Sequence, residues 1–142
     1  MLLTAALTLS APALANTEIK ALFDARELKC LVKNIYYESR GESTKGQEAV
    51  ALVTLNRVKS KKYPNTVCET VYQRKQFSWT HNKTRKVTDK VAWQKAEEIA
   101  YKVLTGNHSL GNFKALYFHA YYVNPNWGKR KIARIGSHIF YA

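Results

Sequence analysis

Leu28-Lys29-Cys30-Leu31-Val32-Lys33-Asn34-Ile35-Tyr36-Tyr37-Glu38-Ser39-Arg40-Gly41-Glu42 is the stretch from which the fold of this chain can be read. Leu28, Leu31, Val32, Ile35 and Tyr36 recur at spacings of three and four, which is one face of an α-helix running from about Ala25 to Glu38. Gly41 ends it, because glycine readily takes the left-handed conformation that closes a helix. The segment Lys45 to Ser60 follows, with Ala49, Val50, Leu52, Val53, Leu55 and Val58 leaving little of it polar. Such a helix is buried on most sides. Tyr63-Pro64-Asn65 breaks it, and Thr66-Val67-Cys68-Glu69 has capping-box spacing, so a short helix is expected through Tyr72. Residues 74–87 are polar and basic apart from Phe77 and Trp79 and read as a loop. Thr88 or Asp89 starts a third main helix, lined on one face by Ala92, Ala96, Ile99, Ala100 and Val103 and closed by Gly106.

The last third changes character. Leu116 to Val123 is aromatic and strand-like, and Pro125 and Gly128 bound a loop carrying Trp127. Lys131 to Ile135 and His138 to Tyr141 flank Gly136-Ser137, which is hairpin chemistry. The expectation is an α+β fold, mostly helical, with a small antiparallel β-sheet near the C-terminus.

The chain has 142 residues and no repeat, low-complexity tract or linker. Residues 1–15 combine an apolar run, Leu2 to Leu9, with Ala13-Leu14-Ala15, the small residues that a signal peptidase reads. They read as a signal peptide, with one domain over 16–142. No basic residue precedes the run, which leaves two alternatives: a start further upstream, or a segment retained as an anchor. Nothing in the sequence is long and apolar enough to span a membrane. Twenty-three Lys and Arg against ten Asp and Glu give a net charge of +13, which points to a polyanionic neighbour. Export argues against nucleic acid and favours anionic envelope polymers or a membrane surface. Spread of the basic residues over 59–62, 83–86 and 129–134 also argues against a nucleic-acid face.

Cys30 and Cys68 are either bridged, which would stabilise the fold by about 4 kcal/mol through loop-closure entropy, or two small buried thiols. His81, His108, His119 and His138 form no HxxxH or HxH pair, so neither a metal nor another cofactor is expected.

Two carboxylates, Glu38 and Glu42, stand four residues apart in a chain poor in acids. Glu38 closes the buried face that ends at Ile35 and Tyr36. Burial against aromatics raises a carboxyl pKa and keeps the acid protonated, as cleavage of a glycosidic bond requires. Glu42, beyond Gly41, is expected to support the turn and to pair with Arg40. An ordinary helix-surface pair is the alternative reading of the two.

Several strings then recur in order: Ile35 to Glu42, Gly46-Gln47-Glu48-Ala49-Val50-Ala51, Leu55-Asn56-Arg57-Val58, Tyr63 to Cys68, and Gln76-Phe77-Ser78-Trp79-Thr80. Tyr117-Phe118-His119-Ala120, Pro125-Asn126-Trp127 and Ile135 to Tyr141 follow. Through them, residues 28–142 resemble the cell wall hydrolase family that includes the spore-cortex lytic enzymes. The resemblance implies a lysozyme-like fold and peptidoglycan cleavage between N-acetylmuramic acid and N-acetylglucosamine, with Glu38 as acid/base and Glu42 a lesser candidate. It also favours the disulfide. A lytic transglycosylase needs one acid, because the muramic 6-hydroxyl attacks intramolecularly. A muramidase-type hydrolase would need a partner carboxylate, with Glu42 local and Asp89 remote.

Sugar rings pack on aromatic faces, so Phe77, Trp79, Tyr117 and Trp127 are candidate substrate-binding residues, together with His119. Gln47 and Asn56 are candidates for N-acetyl contacts. The expected protein is a monomer. The rival from another class is a non-enzymatic cationic protein that binds the envelope.

Overall fold

The computed structural model describes residues 24–142. Residues 1–15, read above as a signal peptide, lie outside the described residues.

Helix α1 is Ala25–Ser39, and the Asp24 carboxylate caps it by accepting from the Arg26 amide at 2.8 Å. It buries Leu31, Val32, Ile35 and Tyr36 along the face expected from the sequence. The helix stops where Gly41 adopts φ +89°. Ser43 then caps α2, Thr44–Lys59, accepting from the Gly46 amide at 3.1 Å.

Every residue of α2 from Gly46 to Thr54 is buried. The reason is its position between two apolar clusters. Ala51 and Leu52 join the helical core of α1, while Ala49, Val50 and Val53 meet Ala115, Ile135 and Phe140 on the other side. A helix covered from both sides has no use for a polar face.

Helix α3, Val67–Val71, carries the expected cap: Thr66 Oγ1 accepts from the Glu69 amide at 3.2 Å and donates to Glu69 Oε2 at 3.0 Å. A second cap comes from α1, where Glu27 Oε2 accepts from the amides of Val67 and Cys68 at 2.6 and 3.2 Å. The Cys30–Cys68 disulfide joins the same two helices, closing a separation of 38 residues. Loop-closure entropy over that length is worth about 4 kcal/mol, part of which residual denatured-state structure offsets. Reduction is therefore expected to lower stability by about 2–4 kcal/mol in urea titration and to raise the m-value, because the denatured chain loses its cross-link and exposes more surface.

Residues 74–87, read as a loop, contain a short 3-10 turn at Ser78–His81. Its indole is the cause: Trp79 Nε1 donates to the buried Asn34 Oδ1 at 3.0 Å, and Asn34 Nδ2 donates to Thr54 Oγ1 at 3.1 Å. Pinning one aromatic to the α1–α2 seam curls the chain around it. Helix α4, Lys90–Leu104, is capped by Asp89, which accepts from the Ala92 amide at 2.9 Å.

The sheet comprises β1 (Tyr117–Ala120), β2 (Lys131–Ile135) and β3 (His138–Tyr141), antiparallel in the order β1-β3-β2. Gly136 makes the β2–β3 turn at φ +55°. The first strand is shorter than expected, because the chain turns at Tyr121 and the Tyr121 amide donates across to the Ser137 carbonyl at 2.8 Å. Asn56 of α2 anchors the approach to β1 by donating to the carbonyls of Phe113 and Ala115 at 2.8 and 3.0 Å. The sheet thus hangs beside the C-terminal end of α1. The expected α+β architecture is what the structure has.

Candidate active site

Glu38 lies in the last turn of α1 and opens into a cleft of about 380 Å3 between that helix and the sheet. Arg57, Gln76, Phe77 and Ser78 line it together with Phe118, His119 and His138 of the sheet. Burial pushes the Glu38 carboxyl from its ordinary 4.5 up to about 7, with the charges of Arg57 and Arg85 holding it from rising further. Glu38 is the only carboxylate among the residues lining the cleft.

Arg57 is the cation of the site, and its place is over-determined. Nε donates to the Leu116 carbonyl at 2.7 Å and Nη1 to Gln76 Oε1 at 3.1 Å. The guanidinium also lies 5.2 Å from the Tyr63 ring and 5.4 Å from the Phe77 ring. Neither Arg57 nor Gln76 stood among the sequence candidates, although both lie inside motifs quoted above.

Glu42 is elsewhere. Its carboxylate receives the Ser137 amide at 3.3 and 3.4 Å and lies 4.0 Å from His138 Nδ1. A side chain at Gly136 would collide with it. Glu42 therefore docks the α1–α2 turn onto the β2–β3 hairpin. The expected Arg40 partnership is replaced: Arg40 Nη1 donates to the Tyr36 hydroxyl at 2.6 Å and its guanidinium sits 4.9 Å over that ring. The turn at Gly41 sends the two side chains in different directions. His138, facing both Glu42 and the cleft, is held below its ordinary pKa by burial, which the Glu42 charge opposes.

The other candidates divide. Phe77 and His119 line the cleft. His119 is fixed on both ring nitrogens, Nδ1 to the Ala120 carbonyl at 2.7 Å and Nε2 to the Tyr141 hydroxyl at 2.8 Å. The carbonyl can only accept, so Nδ1 carries the proton and Nε2 accepts from Tyr141. Trp127 packs edge-on to His119 at 5.3 Å, and Tyr117 lies 6.2 Å from Trp127. Together they form an aromatic rim with Lys129 Nζ 4.2 Å above the Tyr117 ring. Trp79, Gln47 and Asn56 are engaged within the fold. Trp79 is only 6% exposed and bonds Asn34, Gln47 Nε2 donates to the Glu42 carbonyl at 3.1 Å, and Asn56 holds residues 113 and 115. Among the described residues no cluster of His, Cys, Asp and Glu could hold a metal ion, and no helix is long and apolar enough to cross a membrane.

The chain is similar to known proteins over nearly all of this architecture. It is 31% identical over 132 residues to a spore cortex-lytic enzyme of Bacillus cereus, covering 88% of this chain and 48% of that protein. It is 30% identical over 125 residues to the spore cortex-lytic enzyme of Bacillus subtilis, covering 83% and 38%. The chain thus spans less than half the length of these relatives. Among solved structures, the catalytic domain of the germination-specific lytic transglycosylase SleB from Bacillus anthracis superposes with a TM-score of 0.68 at 28% identity. The match covers 84% of this chain and 97% of that one. The catalytic domain of the Bacillus cereus SleB protein gives a TM-score of 0.67. The lysozyme-like catalytic fold implied by the resemblance is the fold these neighbours share. Residues 41–141, from the glycine after the Glu38 turn to the end of β3, match the cell wall hydrolase family, and the chain belongs to it.

Proposed function

We propose that this chain cleaves the glycan strand of peptidoglycan at the bond between N-acetylmuramic acid and N-acetylglucosamine, as a lytic transglycosylase with Glu38 as acid and base. One observation carries the reading: a lone carboxyl in a cleft, raised by burial to about 7. A group with that pKa is about half protonated at neutrality and can deliver its proton to the glycosidic oxygen. Once ionised, it can accept the proton of the muramic 6-hydroxyl as that oxygen attacks the anomeric carbon. The attack is intramolecular, so no second carboxylate has to activate a water. His119, Tyr117 and Trp127 form the wall on which sugar rings would pack, while Phe77, 3% exposed, backs the cleft from the core.

A hydrolase would need a second carboxylate facing Glu38. The two sequence candidates have other tasks: Glu42 receives the Ser137 amide and Asp89 caps α4. This favours the transglycosylase. The family match begins at Gly41, three residues past Glu38, so the assignment of the acid rests on the geometry.

We place the activity at the cell envelope, after export directed by residues 1–15 of a monomeric protein. The exposed lysines and arginines at 59–62, 83–86 and 129–134 would hold it to an anionic wall or membrane surface and leave nucleic acid aside.

Purified protein incubated with peptidoglycan sacculi is expected to release 1,6-anhydromuramyl products, read by mass spectrometry. Reducing ends would identify a hydrolase, and no release at all would leave only the envelope-binding reading. The pH profile gives a second check. Because the catalysed step needs protonated Glu38, kcat/KM, which reports the free enzyme, is expected to fall about tenfold per pH unit above about 7, the value to which burial raises the group.

A further inference from the structure

Next to the cleft lies a second concavity of about 270 Å3 that the reaction above does not use. Three aromatic rings line it: Tyr37 lies 4.8 Å from Trp79, and Tyr72 lies 5.6 Å from Trp79, edge to face. Three cations rim it, Lys33, Lys83 and Arg85, and none of the lining residues is acidic. The rim is built rather than loose at Arg85. Its guanidinium sits 4.9 Å over the Tyr37 ring, and its carbonyl accepts from the Tyr37 hydroxyl at 3.3 Å.

Two consecutive pairs of residues straddle this concavity and the cleft. Tyr37 lines one while Glu38 serves the other, and in the 3-10 turn Trp79 faces one while Ser78 faces the other. The two concavities thus adjoin along the chain at both places, one residue apart.

The geometry points to this concavity as a subsite for the carboxylate-bearing peptide stem of the peptidoglycan strand, with Lys33, Lys83 and Arg85 pairing with stem carboxylates beside the aromatic rings. The inference rests on the proposed glycan-strand activity. Charge complementarity selects the occupant: a neutral glycan has no use for three cations, whereas each stem carries free carboxylates attached to the sugar being cleaved. Charge-assisted hydrogen bonds are the strong kind and give selectivity in partly desolvated sites.

The test compares soluble glycan strands carrying their stems with strands denuded of stems by an amidase and then capped as methylamides at the lactyl carboxylates it exposes, so that the second substrate is neutral. Substrates are presented to the wild-type protein, to the Lys33→Gln/Lys83→Gln double variant, and to Lys83→Arg. Arg85 is left in place because its charge also acts on Glu38. Wild type is expected to favour stem-bearing strands by about tenfold or more in kcat/KM, the factor that one or two such contacts give. The double variant is expected to bring that ratio close to one, and Lys83→Arg to preserve it. Equal kcat/KM on both substrates for wild type overturns the subsite while leaving the proposed cleavage intact. A loss of equal size on both substrates in the double variant also overturns it, since that is the signature of general electrostatic steering. If wild type cleaves neither substrate, the glycan-cleaving reading falls, and the subsite with it.

Discussion

Glu38→Gln is expected to lower kcat on peptidoglycan by about three orders of magnitude, the middle of the range for losing a general acid–base group, with the far-UV spectrum unchanged. The amide is nearly isosteric, but it can neither protonate the leaving oxygen as an acid nor take a proton from the attacking hydroxyl. Equal product release by the variant would remove Glu38 from the mechanism. The same substitution carries a second, opposite expectation. Burial raises the Glu38 carboxyl from 4.5 to about 7, so the folded state prefers the neutral form. Its contribution to stability is fully present below the unfolded value and is lost as pH rises through about 7. Glutamine is neutral at every pH and escapes that loss. Near pH 8 the variant is therefore expected to be more stable than wild type by about 2–3 kcal/mol in denaturant titration, with almost no difference near pH 4. A dead but more stable variant is the mark of a carboxyl held in an unfavourable place for chemistry. A merely structural Glu38 would not show that pairing of effects.

The division between Glu38 and Glu42 was legible in the sequence because it follows from helix phase. Glu38 continues the face of Ile35 and Tyr36, while Gly41 throws Glu42 out of the helix. The burial of α2 was legible for a similar reason, its apolar residues being spread around the whole helix. What could not be read was the partner of each polar group, because those partners come from distant segments. Arg40 turns to Tyr36 within its own helix rather than to Glu42, whereas Glu42 meets Ser137, 95 residues away. Trp79 looked like a sugar platform from its loop setting. Its N–H instead bonds Asn34, a residue whose polarity in a buried stripe was the only hint. Arg57 lines the cleft because α2 carries it under the sheet, and no local pattern distinguishes such an arginine from a solvated one.

Glu48→Ala is expected to cost about 2–4 kcal/mol, since it removes the hydrogen bonds from Ser109 and leaves a cavity in a fully buried place. Glu48 is the one acid with no solvent exposure in the middle of α2. Its Oε2 accepts from the Ser109 amide and hydroxyl at 3.1 and 2.8 Å, and Lys102 Nζ lies 3.1 Å from Oε1. Burial alone would raise this carboxyl, but the Ser109 hydrogen bonds and the Lys102 charge outweigh it and hold the pKa below its ordinary value. The arrangement fastens α2 to the last turn of α4 and to the loop after it. Alanine would leave a cavity and an orphaned Ser109 amide. Lys102→Ala is expected to cost less, about 1–2 kcal/mol, because Ser109 still serves the carboxylate and the lysine is 43% exposed. The sign of the pH dependence is opposite to that of Glu38. A depressed pKa contributes stability above the unfolded value and loses it as pH falls through the folded one. Wild type should therefore lose stability in acid through Glu48 and at neutral to alkaline pH through Glu38, with its maximum between the two. Urea midpoints measured from pH 3 to 9 are expected to flatten on the acid side in Glu48→Ala and on the alkaline side in Glu38→Gln. A wild-type optimum that neither substitution moves would show that other groups set the pH dependence of this fold.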